Sequence, residues 1–178
     1  ANHVSWIDGI LILLASSRPI RMLAYADYVQ GPVMRKLSNL FGIIPIRSGD
    51  GPRALIQSLN TATEALRQGQ LVCIFAEGRI SRIGQLLKFE RGMLKILKDT
   101  DAPVVPVCLD ELWGSIFSFR GGKFFKKRPE TLGRRNVTIT FGKPVPATSS
   151  PFKIRQAVER LAADSWEFRK AERISLPR

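Results

Sequence analysis

Leu71-Val72-Cys73-Ile74-Phe75-Ala76-Glu77-Gly78-Arg79-Ile80-Ser81 is the stretch that decides the fold. Residues 71–75 are apolar without interruption, as expected of a strand covered on both faces by helices. The run passes directly into Glu-Gly-Arg, and in open α/β sheets sites collect beyond the carboxyl ends of the strands. Gly78 permits close backbone approach. The guanidinium of Arg79 or Arg82 suits bidentate binding of a phosphate. A polar turn with solvated arginines accounts for the stretch equally simply, and alone it is the better reading.

Working outward, a helix is expected over residues 52–67. Pro52 opens it, Leu55, Leu59, Ala62 and Leu66 share one face, and Gly69 closes it. Before it, residues 43–46 form a short strand with Pro45, ending in Arg47; Pro45 favours an edge position. Helical spacing covers 31–40, a strand fits 20–24, and an apolar helix fits 8–17. After it come a helix over 90–98, a buried strand over 103–109 framed by Pro103 and Pro106, a strand over 137–141, and a long charged helix over 152–173. Strands and helices alternate. The expectation is one α/β domain over residues 1–178, with a central mixed, largely parallel sheet flanked by helices.

The formal net charge of +13 over 178 residues calls for an acidic partner: a phospholipid surface, nucleic acid or an acidic protein. The basic residues are spread along the chain and no nucleic-acid motif occurs, so nucleic acid is not expected. A Walker loop and a dinucleotide fingerprint are also absent. The apolar stretch 10–15 is far too short to span a bilayer. The chain starts without Met and reads as a piece of a longer polypeptide. Cys73 and Cys108 each sit in an apolar run and are expected to be reduced, buried and inert. A lone histidine without paired cysteines argues against a metal site. Residues 113–128 mix aromatics with positive charge. They fit an interfacial patch, or a hairpin turning at Gly121-Gly122 with Phe117, Phe119 and Phe125 packed inward.

The single histidine is His3, and Asp8 follows it in Ala1-Asn2-His3-Val4-Ser5-Trp6-Ile7-Asp8. An imidazole beside a carboxylate is a simple general base near neutral pH. Residues five apart do not share a helix face. The pair therefore needs His3 on a loop and Asp8 in the first turn of the next helix, with Ser5 as N-cap. The competing reading is a capping box, Ser5-Trp6-Ile7-Asp8, in which Asp8 merely satisfies a backbone N–H.

Taken in order, His3-x4-Asp8, Gly42-Ile43-Ile44-Pro45-Ile46-Arg47, Glu77-Gly78-Arg79-Ile80-Ser81 and the strand around Pro106 resemble the four blocks of the glycerophospholipid acyltransferase family. These enzymes acylate glycerol phosphate and lysophospholipids. The third block departs from the usual pattern, with Arg79 in place of Thr and Ile80 in place of Arg. That variant is similar to the acyltransferase domain of bacterial acyl-carrier-protein–phospholipid O-acyltransferases, in which the domain is fused to a lysophospholipid transporter, an acyl-ligase or both.

The resemblance implies a glycerol-3-phosphate acyltransferase-like fold. It implies transfer of an acyl group from acyl carrier protein or CoA, as co-substrate, to a lysophospholipid hydroxyl, with no cofactor. His3 and Asp8 would be catalytic. Arg47, Glu77, Gly78, Arg79 and Ser81 would bind the acceptor's phosphate, and Pro106 would shape the acyl wall. Lysophosphatidate or glycerol 3-phosphate is the alternative acceptor, and a non-catalytic lipid- or nucleic-acid-binding module the alternative of another class. The implied location is the cytoplasmic face of a membrane. No Gly-x-Ser-x-Gly elbow occurs, so direct transfer without an acyl-enzyme is expected.

Overall fold

The structure, a computed structural model, describes residues 1–175 except 30, 48, 99, 121 and 123–135. Strands β1 (Ile20–Tyr25), β2 (Ile44–Ile46) and β3 (Leu71–Cys73) form a parallel sheet in the order β2-β1-β3. The register places Leu23 beside Ile44, and Ile20 beside Leu71. Strands β4 (Val107–Asp110) and β5 (Thr138–Phe141) form a separate antiparallel pair. Helices α1 (Asp8–Ala15), α2 (Pro32–Leu40), α3 (Pro52–Arg67), α4 (Gly92–Leu97) and α5 (Pro151–Ser175) complete the α/β layering that the alternating pattern predicts.

Side-chain alternation along β1 sets the layers. Ile20 and Met22 pack with Ile12 of α1 and with Val107 and Leu109 of β4. Leu23 points the other way, joining Ile44, Leu59, Ala62 and Ala65 of α3 and Ile96 of α4. A third cluster joins Cys108 to Phe89, Met93 and to Ile154 and Val158 of α5. Each Val, Leu, Ile, Met or Phe side chain buried this way contributes roughly 1.5–3 kcal/mol.

Helix α3 starts at Pro52 as expected and closes at Gly69, where Gln70 N–H reaches Ala65 O at 3.0 Å. Other boundaries shift. Strand β3 is an edge strand and ends at Cys73, two residues early, because the chain beyond turns to build the site. Prolines 103 and 106 cannot donate to a ladder, so residues 103–106 contribute only a single bridge, Val104 with Val145, and β4 begins at Val107. Helix α1 begins at Asp8 itself, after Ile7, rather than after Ser5. The hairpin expected around Gly121-Gly122 falls largely outside the described residues. No helix among the described residues is long and apolar enough to cross a membrane.

Candidate active site

The parallel strands all point their carboxyl ends the same way, at Tyr25, at Ile46 and at the segment leaving β3. A cavity of about 920 Å³ opens along this edge, and His3, Tyr25, Ile46, Phe75, Gly78 and Arg79 are among its lining residues.

His3 Nδ1 lies 2.8 Å from Asp8 Oδ2. The same Oδ2 accepts the N–H groups of Val4 at 2.7 Å and Ser5 at 2.9 Å, and Oδ1 accepts the Ser5 hydroxyl. Asp8 is fully buried, while 17% of the His3 side chain remains exposed. With two backbone donors already on Oδ2, the ring nitrogen facing it is a third donor, which leaves the Nε2 lone pair as acceptor. The imidazole stacks on Phe75, with ring centroids 3.9 Å apart and planes 15° apart. The same carboxylate thus turns residues 3–8 and holds the ring, although Ser5 does not cap α1, which begins after Ile7.

Three further contacts fix this loop. The Asn2 side-chain amide brackets Leu109, donating to its carbonyl at 2.9 Å and accepting its N–H at 2.7 Å. Trp6 N–H donates to Phe117 O at 2.8 Å. His3 N–H donates to Glu77 Oε1 at 2.7 Å, and the other oxygen of Glu77 accepts Leu87 N–H at 2.8 Å. Burial pushes the Glu77 carboxyl above its ordinary value, and the hydrogen bonds from Leu87 and His3 pull it back down.

The residues expected to bind phosphate divide. Gly78 and Arg79 line the cavity. Gly78 sits at φ 69°, a left-handed conformation that other residues adopt only with strain, and its carbonyl accepts the Tyr25 hydroxyl at 3.1 Å. Glu77 and Ser81 lie beneath the wall, and their polar atoms are engaged within the protein: the Ser81 hydroxyl donates to Gln85 O at 2.8 Å and its N–H to His3 O at 2.7 Å. Arg47 is exposed just beyond β2 and is not among the lining residues, although its neighbour Ile46 is. Pro106 is not among them either. It is buried at the start of β4, where its carbonyl accepts Gly142 N–H at 2.8 Å. Arg82, the alternative guanidinium read from the sequence, does line it, and the cavity gains Arg91, with Glu90 the carboxylate on the same wall. Asn2 and Phe75 gave no comparable signal, because a clamp and a ring platform are defined only by their distant partners.

Against this geometry, residues 1–110 match the protein-family model described as Acyltransferase. The chain belongs to the acyltransferase family. Over 163 residues it is 25% identical to the chloroplastic 1-acyl-sn-glycerol-3-phosphate acyltransferase of Arabidopsis thaliana, covering 91% of this chain and 43% of that protein. A chloroplastic enzyme of the same description from Brassica napus is 30% identical over 109 residues, covering 61% of this chain and 31% of its own length. The chain thus spans less than half the length of these curated relatives. The crystal structure of the 1-acyl-sn-glycerophosphate acyltransferase PlsC from Thermotoga maritima superposes with a TM-score of 0.65, covering 96% of this chain and 64% of that one at 22% identity. This likeness speaks for the acyltransferase-like fold.

Proposed function

We propose that this acyltransferase-family domain moves a fatty acyl group from an acyl thioester to the free glycerol hydroxyl of a lysophospholipid. The observation that carries the reading is the His3–Asp8 pair at 2.8 Å, with its ring on the wall of the cavity that also holds Arg79 and Arg82. An alcohol becomes a competent nucleophile as its proton is withdrawn during attack. His3 Nε2 takes that proton, and Asp8 stabilises the imidazolium, as in a serine-protease triad with the acceptor's hydroxyl in place of serine. The new ester C–O bond forms, the thioester C–S bond breaks, and the proton passes to the departing thiol.

A covalent acyl-cysteine has little support. Burial pushes the Cys108 thiol up to about 11, with the Asp110 carboxylate adding to the rise, and burial raises Cys73 as well. Arg79 and Arg82 hold the acceptor's phosphate, and Glu77 and Ser81 position the loop that carries His3. The lipid reaches the cavity from a membrane surface, toward which Trp6 and, on α1, Ile10 and Leu14 offer exposed apolar side chains.

The relatives' names favour 1-acylglycerol 3-phosphate as acceptor, whereas the Glu-Gly-Arg-Ile form of the third block favours a lysophospholipid with a headgroup. Assays of the full-length protein with lysophosphatidate and lysophosphatidylethanolamine, each with acyl-CoA and with acyl carrier protein, decide acceptor and donor. In the same assay His3→Ala is expected to lower the rate about 10²–10⁴-fold. A loss below about tenfold removes His3 as the base.

A further inference from the structure

Residues 81–90 contain no helix or strand, yet Arg82, Ile83, Leu87 and Glu90 form part of the cavity wall. Without a ladder, the backbone groups of such a strap must find partners elsewhere. At its ends, Ser81 N–H donates to His3 O at 2.7 Å and Glu90 N–H to Ala76 O at 2.7 Å. In its middle, Leu87 N–H donates to Glu77 Oε2 at 2.8 Å. The carbonyls of the same region are held from the far side. Arg155, on α5, donates from Nε to Leu87 O at 2.9 Å and from Nη2 to Leu86 O at 2.9 Å. Its Nη1 pairs with Glu159 at 2.7 Å.

We propose that Arg155 is a positioning residue for acyl transfer, acting through the strap on His3. The inference rests on the reading of His3 as the base. Arg155 lies well beyond residues 1–110, which match the family model, so it belongs to none of the four blocks. Its connection to the site runs through three hydrogen-bonded links. The guanidinium holds the Leu87 carbonyl, the Leu87 N–H holds one Glu77 oxygen, and the other Glu77 oxygen holds the His3 N–H. A planar fork reaches two successive carbonyls at once, which a lysine ammonium matches poorly. Release of the fork lets Leu87 drift. Glu77 and the backbone of His3 drift with it, and the ring leaves its aim at the acceptor hydroxyl.

The test uses Arg155→Ala, Arg155→Lys and, as control, Glu159→Gln in the full-length protein. It reads kcat and KM for lysophospholipid together with amide hydrogen exchange. Misplacement of about 1 Å costs up to about 10²-fold in rate, so Arg155→Ala is expected to lower kcat about 10- to 100-fold with a smaller change in KM. Exchange is expected to rise in residues 81–90 and 1–5 while β1 stays as in the parent. Arg155→Lys is expected to recover part of the rate, and Glu159→Gln to stay within about twofold, since its half-exposed pair contributes little.

Parent-like kcat in Arg155→Ala overturns the proposal, even if the strap exchanges faster. So does a rise in exchange that includes β1, provided Arg155→Lys, with β1 exchange as in the parent, also keeps parent-like kcat. If the parent protein transfers no acyl group, the functional reading fails. In that case, faster exchange confined to 81–90 and 1–5 still establishes the link from Arg155 to His3.

Discussion

At the scale of single residues, the site rests on one buried carboxylate that serves two purposes. Asp8 accepts from His3, Val4 and Ser5, with hydroxyl as well as amide donors among them, so neither oxygen tolerates replacement by a donor. Asp8→Asn sets an NH2 group against these donors. It is expected to lower stability by about 2–3 kcal/mol, read as a shift of the urea midpoint, and to lower acyl transfer at least as far as His3→Ala does. Glu77 gives a prediction in pH. Its folded-state carboxyl is raised by burial from the ordinary 4.5. The folded protein therefore holds this proton more tightly than the unfolded chain. The corresponding stability is complete below the unfolded value and declines as pH rises through the folded one. Relative to Glu77→Gln, the parent is expected to lose stability as pH rises across this range, measured by urea unfolding at a series of acid pH values. A constant difference between the two would remove Glu77 as the source.

At the scale of elements, the most demanding piece is the strap of residues 81–90. Gly84 lies at φ 75° against the Trp113 indole, and a Cβ there would stand 2.5 Å from ring atoms. Gly84→Ala is expected to destabilise by about 2–3 kcal/mol through overpacking and backbone strain, seen in the thermal midpoint. Gly84→Ala with Trp113→Ala should then cost less than the sum of the two single changes. None of this was legible in the sequence. Residues 81–90 lack the periodicity that marks helices and strands, and their order comes from side chains far along the chain. The helices and most strands were legible, because apolar spacing, Pro52 and Gly69 are local signals. The differences fall where backbone chemistry or the site intervenes. Pro106 delays β4 to Val107, and β3 stops at Cys73 so that Phe75 can support the imidazole.

At the scale of the whole molecule, the chain carries a net charge of +13, Trp6 lines the cavity, and Ile10 and Leu14 of α1 are exposed. Binding to vesicles with anionic phospholipid is expected at low salt and to weaken at high salt, since headgroup attraction is screened within a Debye length. Ile10→Glu with Leu14→Glu is expected to weaken it further; flotation equal to the parent's would place the lipid-facing surface elsewhere.

The sequence alone carried the alternating architecture, and it offered the His3–Asp8 pair and the arginine-bearing turn after β3 as candidates, since each is written in neighbouring residues. Only the tertiary structure decided which polar groups face the cavity. It turned Glu77 and Ser81 inward as backbone partners, left Arg47 and Pro106 out of the lining, and brought Arg91 in. The physical reason is that buried backbone groups without a ladder must be satisfied by whatever the fold brings within about 3 Å, and no local pattern records that choice.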